Sequence, residues 1–324
     1  MKNNKRNIFF NVGRYPEFSA LIAFIVLFSI FALGSKNFIS PLNLGGILSI
    51  ISERGILIIG VAVLMIAGEF DLSVGTTYAL SAIIYIQLLR VGHNPAMALL
   101  ISIAIGIGMG FVNGIITLKV GIPSFITTLG TGMFFRGFVY LITKSSMNFA
   151  YEGDIPILLR IINGRIGGQF RTAIFWTIGI LIFFFILLTR TKFGNAVYAV
   201  GGNKVSAQCM GINVFRIKLS CFIIAGVLAA LAGAMAFTRL TAADPLLGKG
   251  MELEAVSAAV IGGISLYGGY GSIIGSFLGT CIISIIGSGL VMIGMGVYWY
   301  QSIIGLILIV AVTIFTYVRR IGKL

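Results

Sequence analysis

The sequence predicts an all-α fold, a polytopic bundle of about ten transmembrane helices that forms one domain over residues 1–324. Hydrophobic residues make up 58% of the chain and charged residues only 10%, a balance that a soluble domain of this length does not have. Apolar runs also recur along the whole sequence, separated by short stretches of charge, Gly or Pro. Because a bilayer core about 30 Å thick needs roughly 20 apolar residues per helix, these runs are predicted to be spans.

Two of the predicted spans are unusual. The run at 252–265 is short and rich in Gly, and the run at 72–90 contains several hydroxyl groups. If either run does not cross the bilayer, everything that follows it changes sides. The predicted spans are 18–34, 44–67, 72–90, 96–118, 124–143, 173–190, 217–240, 252–265, 272–293 and 298–318.

The charges predict the orientation. The chain has 23 Lys and Arg against 9 Asp and Glu, a net charge of +14. In a soluble protein this balance would suggest nucleic acid, but basic residues of membrane proteins collect in cytoplasmic loops, so no nucleic acid partner is predicted. A cytoplasmic N-terminal tail at 1–16 places the segment 191–216 and the C-terminus in the cytoplasm and the loop 144–172 outside. No signal-peptide cleavage site follows the tail, so we expect it to be retained.

Residues that usually form cofactor sites are scarce. The one histidine, His93, lies in a predicted outer turn, and Cys209, Cys221 and Cys281 are not closely spaced. Neither a disulfide framework, a metal site nor a cofactor is therefore predicted. No nucleotide-binding motif occurs, so if ATP drives this protein, another chain must bind it.

The first candidate site is the segment 68–75, which places Glu69 and Asp71 between two apolar runs. Charges at membrane depth are costly and are expected to face protein or a water-filled path. The flanking glycines and Ser73 suggest a broken helix that lines such a path. Asp71 also stands two residues before Ser73, where it would instead cap the next helix, and both interpretations remain open.

The second candidate site is the longest polar stretch on the predicted inner side, residues 190–213. A short helix from Lys204 to Met210, between a turn at 201–203 and Gly211, would present a docking surface to a soluble partner. The turn lacks the Gly-Lys-Ser/Thr ending of a phosphate loop.

The third candidate site is the segment 252–272. Glu252 and Glu254 fit the first turn of a helix, and the glycine cluster that follows fits a tight re-entry between two helices. With the first segment it supplies the predicted pathway and gating residues, which are Glu69, Phe70, Asp71, Ser73, Gly262 and Gly263. Other glycines are spread through the spans, where small residues allow helices to approach closely. Two such surfaces are predicted, one with Gly106, Gly108, Gly110 and Gly114, the other with Gly275 and Gly279.

Together the three segments resemble the permeases of ribose-type bacterial ABC importers. Residues 68–75 are similar to the family's Gly-Gly-Ile-Asp-Leu-Ser-Val-Gly sequence, with Glu69 and Phe70 in place of Gly-Ile. Residues 190–212 are similar to its Arg-Thr-x-Phe-Gly…Gly-Gly-Asn…Gly-Ile loop, and residues 255–272 to its Ile-Gly-Gly-x-Ser-Leu…Gly-Ser stretch. The similarity covers most of the chain, and the segments occur in the family's order.

The resemblance implies a multi-pass permease of the bacterial plasma (inner) membrane that imports a monosaccharide, ribose or a related pentose or hexose. It also implies that the chain is a transport subunit and not an enzyme, with ATP hydrolysis on a separate chain. It implies as partners a second permease subunit, a cytoplasmic ABC ATPase and an extracytoplasmic substrate-binding protein. The residues expected to couple to the ATPase are Gly194, Tyr198, Gly201, Gly202, Asn203, Ala207, Gly211 and Ile212. In the outer loop, Arg160, Arg165 and Arg171 are expected to receive an acidic rim of the binding protein.

Other functions remain as hypotheses. Relatives within the same family also move nucleosides or a furanose signalling molecule, so the resemblance does not fix the substrate. A proton-coupled secondary transporter would use Glu69 and Asp71 as its titrating pair. An intramembrane enzyme would use Asp71 and Asp244 as a carboxylate pair.

Overall fold

The computed structural model describes residues 16–144, 149–151, 153, 156–240, 242–296 and 298–322, so nearly all of the predicted tail at 1–16 lies outside the described residues. Within these ranges the chain forms thirteen helices and two small antiparallel sheets, each of two strands. A π-helical turn, Ile116–Val120, extends α4. The helices are α1 (Pro16–Gly34), α2 (Pro41–Ile66), α3 (Val74–Arg90), α4 (Pro95–Ile115), α5 (Ser124–Thr143), α6 (Ile157–Asn163), α7 (Ala173–Arg190), α8 (Lys192–Gly202), α9 (Lys204–Cys209), α10 (Val214–Leu240), α11 (Met251–Ile261), α12 (Ile273–Met292) and α13 (Trp299–Gly322).

Seven of these helices, within the described ranges, are long and apolar enough to cross a membrane: α1, α2, α4, α5, α7, α10 and α12. They confirm the polytopic helical bundle. Helix α3 has 17 residues, and the apolar part of α13 is Trp299–Val310. Helix α11 has 11 residues, so at 1.5 Å per residue it is about 16 Å long, roughly half of a bilayer core. The predicted span at 252–265 therefore forms a half-length helix, which follows turns at 245–250. The count of ten spans stays a prediction.

Helix α2 is the centre of the bundle. It packs against α7, α10, α11 and α12 and is buried along most of its length. Its apolar residues occupy all sides of the helix, the pattern of a helix enclosed by others. Pro41 stands at its first turn, and the Ser40 side chain accepts a hydrogen bond from the Asn43 amide (3.4 Å), which caps its N-terminus.

Close helix contacts occur where small residues were predicted to permit them. On α4, Gly106 and Gly110 lie against the main chain of α10, where a Cβ would overlap the carbonyls of Gly226 and Phe222. Gly114 also faces α10, but Gly108 faces open space, because residues two apart point to different sides of a helix. Gly275 and Gly279 of α12 lie equally close to the main chain of α11.

The predicted outer loop at 144–172 is a folded element where it is described. Strand β1 (Phe149–Ala150) pairs with β4 (Ala242–Ala243), and β2 (Arg165–Ile166) forms a hairpin with β3 (Phe170–Arg171). The hairpin lies on the N-terminal part of α2, where Gly45 leaves room for the Gln169 carbonyl. The loop is therefore fixed to the central helix.

Candidate functional site

The loop between α2 and α3, residues 67–73, holds the first predicted site. Hydroxyl groups of α5 accept hydrogen bonds from the main-chain amides of this loop. The Phe70 amide donates to Ser124 Oγ (3.1 Å), and the Leu72 amide donates to Thr128 Oγ1 (2.9 Å). Irregular backbone inside a membrane protein needs such partners because no water replaces the lost helical bonds.

Asp71 is fully buried in the turn that leads into α3, whose N-cap is Ser73. One of its carboxylate oxygens accepts hydrogen bonds from the Ser73 amide (2.7 Å) and the Ser73 hydroxyl (2.6 Å). The Asn113 side chain on α4 donates to Ser73 Oγ (2.8 Å), and Thr131 on α5 donates to the Asn113 carbonyl oxygen (2.6 Å). Asp71 therefore fixes the turn before α3 and does not cap the helix itself, and the network joins α3, α4 and α5.

Glu69 has a different partner. Its carboxylate lies 2.5 Å from the ammonium group of Lys218, a buried residue in the first turns of α10. The two carboxylates of the loop are therefore held in separate polar environments, one cationic and one made of hydroxyl and amide groups. This arrangement does not resemble a pair that shares one titrating site.

Three segments that are distant in the sequence meet at a group of glycines, which we call the glycine junction. The Gly269 amide in the α11–α12 loop donates to the Ile66 carbonyl at the end of α2 (2.8 Å). Gly201 of α8 lies against the same carbonyl, so closely that any Cβ would overlap it. The junction comprises Gly68, Gly201, Gly202, Gly268 and Gly269, and Gly68 and Gly268 both adopt positive φ, +79° and +78°. All three sequence segments are thereby in direct main-chain contact.

A tyrosine strengthens this contact. The Tyr198 hydroxyl on α8 donates to the Gly271 carbonyl (2.9 Å). Burial raises the pKa of Tyr198, which keeps the phenol protonated and able to donate. In the same loop, Gly262 lies against the Gly275 carbonyl and Gly263 has a φ of +88°. The predicted gating glycines therefore close the turn between α11 and α12.

The predicted coupling segment contains two helices where one was expected. The predicted helix at 204–210 is α9, but the predicted turn at 201–203 is the end of the longer helix α8. Thr191 caps α8 and Asn203 caps α9, the latter by accepting a bond from the Ser206 amide (2.9 Å). Both helices of the segment are therefore capped at their N-termini.

The expected coupling residues differ in exposure. Gly194 and Ala207 are buried, and Tyr198, Gly201 and Ile212 are half-buried. Gly202, Asn203 and Gly211 are exposed. The outward surface is formed mainly by α9 and the residue after it, with Val205 67% and Met210 79% exposed. Exposed apolar side chains on a short, capped helix are typical of a docking surface for another protein.

Sequence reasoning missed a charge network in the middle of α2. Glu53 accepts two hydrogen bonds from Arg239 Nε on α10 (2.9 and 3.1 Å), and Arg54 forms an ion pair with Glu254 on α11 (2.5 Å). Tyr300 on α13 also bonds to Arg54 (2.9 Å). The signal was available, since Glu53 and Arg54 are adjacent opposite charges inside an apolar run. Their partners come from three other helices and balance the charge.

The outer arginines divide into two kinds. Arg160 and Arg165 are exposed. Arg171 is half-buried and donates to the Asn163 carbonyl at the end of α6 (2.9 Å). Partial burial lowers the pKa of Arg171. Arg171 therefore stabilises the outer loop, whereas the other two are free to face solvent.

The fold and these contacts define a class of protein. It is a multi-pass membrane protein in which the α2–α3 and α11–α12 loops are joined to the polar helix pair α8 and α9. The chain belongs to the family described as branched-chain amino acid transport system / permease component, whose model matches residues 43–312. It is therefore a multi-pass inner-membrane permease.

Named relatives cover almost the whole chain. It is 32% identical over 308 residues to the ribose import permease protein RbsC of Escherichia coli (strain K12), covering 94% of this chain and 95% of the relative. It is 32% identical to the fructose import permease protein FrcC of Rhizobium meliloti, covering 94% and 84%. It is 34% identical to the autoinducer 2 import system permease protein LsrC of Yersinia enterocolitica, covering 90% and 80%. No solved structure matches the chain.

Proposed function

We propose that this chain is the membrane permease subunit of an ABC importer that carries a monosaccharide. Relatives named for ribose and fructose import align over nearly all of its length, which supports this substrate class. The observation that carries the mechanism is the glycine junction, because it gives the coupling segment a rigid connection to both interior loops.

In this mechanism, a separate ATPase binds the exposed face of α9 and moves α8. Gly201 touches the end of α2 and the α11–α12 loop main chain to main chain, so no flexible side chain absorbs the movement. The loops then rearrange and open the path alternately to the two sides. We assign Glu69, Phe70, Asp71, Ser73, Gly262 and Gly263 to this moving region. The chain itself hydrolyses no ATP.

The proposed partners follow from this division of work. The ATPase docks on α9, a second permease subunit completes the membrane channel, and a substrate-binding protein delivers the sugar from outside. Arg160 and Arg165, the exposed arginines of the outer loop, are proposed to meet acidic side chains of that binding protein.

The test compares two adjacent glycines of α8 in the complete importer, reconstituted with its ATPase and binding protein. A Cβ at Gly201 overlaps the Ile66 carbonyl at the end of α2 and the Gly269 amide in the α11–α12 loop, whereas a Cβ at Gly202 would only meet the Gly269 Cα at 3.9 Å, an ordinary contact. Gly201→Ala is expected to lower the sugar transported per ATP hydrolysed at least about tenfold, while Gly202→Ala leaves this ratio unchanged. The milder Tyr198→Phe is expected to lower it about two- to fivefold, since it removes one hydrogen bond.

Equal transport per ATP in Gly201→Ala and wild type, with both complexes intact by size-exclusion chromatography, would contradict the proposed coupling route. If Gly201→Ala does not fold, Tyr198→Phe decides, and a wild-type ratio in that variant refutes the route. Concentrative sugar uptake by the permease alone, driven by a pH gradient without the ATPase, would instead establish a proton-coupled transporter.

A further inference from the structure

A cavity of about 750 Å³ lies between the N-terminal half of α2, the C-terminal half of α12 and the start of α13. Arg54 forms the floor of the cavity and lies about 20 Å along α2 from the first residue of that helix. The volume of the cavity is in the range typical of small-molecule sites. Its polar lining includes Asn37, Asn43, Arg54, Ser284, Ser288 and Tyr300.

The charges of the lining are balanced. The Arg54 guanidinium is paired with Glu254 and also donates to the Tyr300 hydroxyl. The remaining polar side chains are neutral amides and hydroxyls, and Ser288 donates to Asn43 (2.6 Å) across the gap between α12 and α2. A net-neutral site with both donors and acceptors suits an uncharged ligand, because a charged ligand would lack a counter-charge.

One hydroxyl of the wall lacks a partner. Ser284 is 3% exposed, and its Oγ has no hydrogen bond among the residues that the structure describes. A buried hydroxyl without a partner costs free energy, which a hydrogen bond from a ligand would recover. Between the polar groups the wall is aliphatic, with Ile47 and Ile50 of α2 and Leu290 of α12. This mixture matches a sugar, which has hydroxyl edges and apolar C–H faces.

We propose that this cavity binds one neutral monosaccharide on its way through the permease, with Ser284, Asn43 and Arg54 as hydrogen-bonding groups. The inference rests on the proposed function and adds the position of the sugar site. By the predicted orientation the cavity opens to the outside, and its floor is the α2 charge network. A sugar here would therefore contact the residues that connect α2 to α11 and α13.

The first experiment fills the cavity. Gly46 lines it, and a Cβ at this position meets no atom within 4 Å, so Gly46→Leu occupies the cavity without overlapping the main chain. Gly108→Leu is the matched control, since Gly108 also faces open space on a transmembrane helix away from the cavity. In the complete reconstituted importer, Gly46→Leu is expected to lower uptake of radiolabelled D-ribose or D-fructose at least tenfold while ATP hydrolysis continues. Gly108→Leu is expected to transport normally.

The second experiment probes the cavity without ATP. In a Cys209→Ser background, Ser288→Cys is expected to react with a membrane-impermeant methanethiosulfonate added from outside, because Ser288 lines the cavity and is only half-buried. D-ribose or D-fructose is expected to slow this reaction at least threefold. The parent without Ser288→Cys corrects for Cys221 and Cys281, both of which are buried.

The outcomes separate the two proposals. If the wild-type importer moves none of a panel of pentoses and hexoses that includes D-ribose and D-fructose, the proposed substrate class is wrong and this site assignment fails with it. If the wild type transports sugar and Gly46→Leu transports it equally well, only the cavity assignment is overturned. Labelling that is slowed by added phospholipid but not by either sugar would identify a lipid as the occupant and would also overturn it.

Discussion

The buried pair of Glu53 and Arg239 should dominate the stability of the α2–α10 contact. The Glu53 side chain is 2% exposed and that of Arg239 is 30% exposed, so both charges are largely shielded from solvent. Charge centres about 4 Å apart attract by about 4 kcal/mol at an effective dielectric constant of about 20. Removing one partner leaves the other buried without a counter-charge, which typically lowers the free energy of unfolding by about 3–5 kcal/mol. Because Arg239 is partly exposed, we expect Glu53→Gln to cost about 3 kcal/mol.

A double-mutant cycle tests this expectation by equilibrium unfolding in detergent micelles. The double variant Glu53→Gln, Arg239→Gln removes both charges and is expected to lose only about 1 kcal/mol, which gives a coupling energy of at least about 2 kcal/mol. Lys119→Gln, at an exposed position, controls for charge removal in general. Additive effects of the two single substitutions, or a loss below about 1 kcal/mol for Glu53→Gln, would refute the argument.

Three further predictions concern single contacts. Asn113→Ala removes the amide that links α3, α4 and α5 and is expected to cost about 1–3 kcal/mol in the same unfolding assay; no measurable loss would contradict the network. Gly106→Leu is expected to separate α4 from α10, because its side chain would overlap the Gly226 carbonyl, and to lower the Tm by several degrees. The control Gly108→Leu is expected to leave the Tm unchanged, and equal Tm values for the two variants would count against this packing. Asn203→Ala removes the cap of α9, which stabilises the helix by about 1 kcal/mol. Amide hydrogen exchange across α9 is therefore expected to become about fivefold faster, and an unchanged exchange rate would argue against the cap.

Much of the fold was predictable because the bilayer imposes a simple rule on the chain. Runs of about 20 apolar residues mark spans, and these predicted most of the long helices. The segment 252–265 was harder, since its length is intermediate between a span and a loop, and it forms the short helix α11. The coupling segment shows a similar limit. Its second helix was predicted from its caps. Gly201 and Gly202 suggested a turn, but they form the end of α8, where Gly201 packs against Ile66.

The candidate site was predictable in its parts and not in its assembly. The sequence suggested Asp71 as either a cap or a pathway residue, and its bonds to Ser73 instead hold the turn before α3. Nothing in the sequence pairs Glu69 with Lys218, which is 149 residues away. The ion pairs of Glu53 and Arg54 have partners still farther along the chain, so a local pattern reveals the charges but not what neutralises them.

The sequence by itself determined that this is an integral membrane protein, that small residues allow its helices to approach closely, and that three polar segments interrupt the bundle. These properties depend on composition and on the spacing of residues along a single helix, so each is set by a local stretch of the sequence. Only the tertiary structure decided that the three segments meet at the glycine junction and that opposite charges close on α2. Those contacts join residues as much as 203 positions apart, as between Ile66 and Gly269 (269 − 66), and only the packing of all the helices brings such residues together.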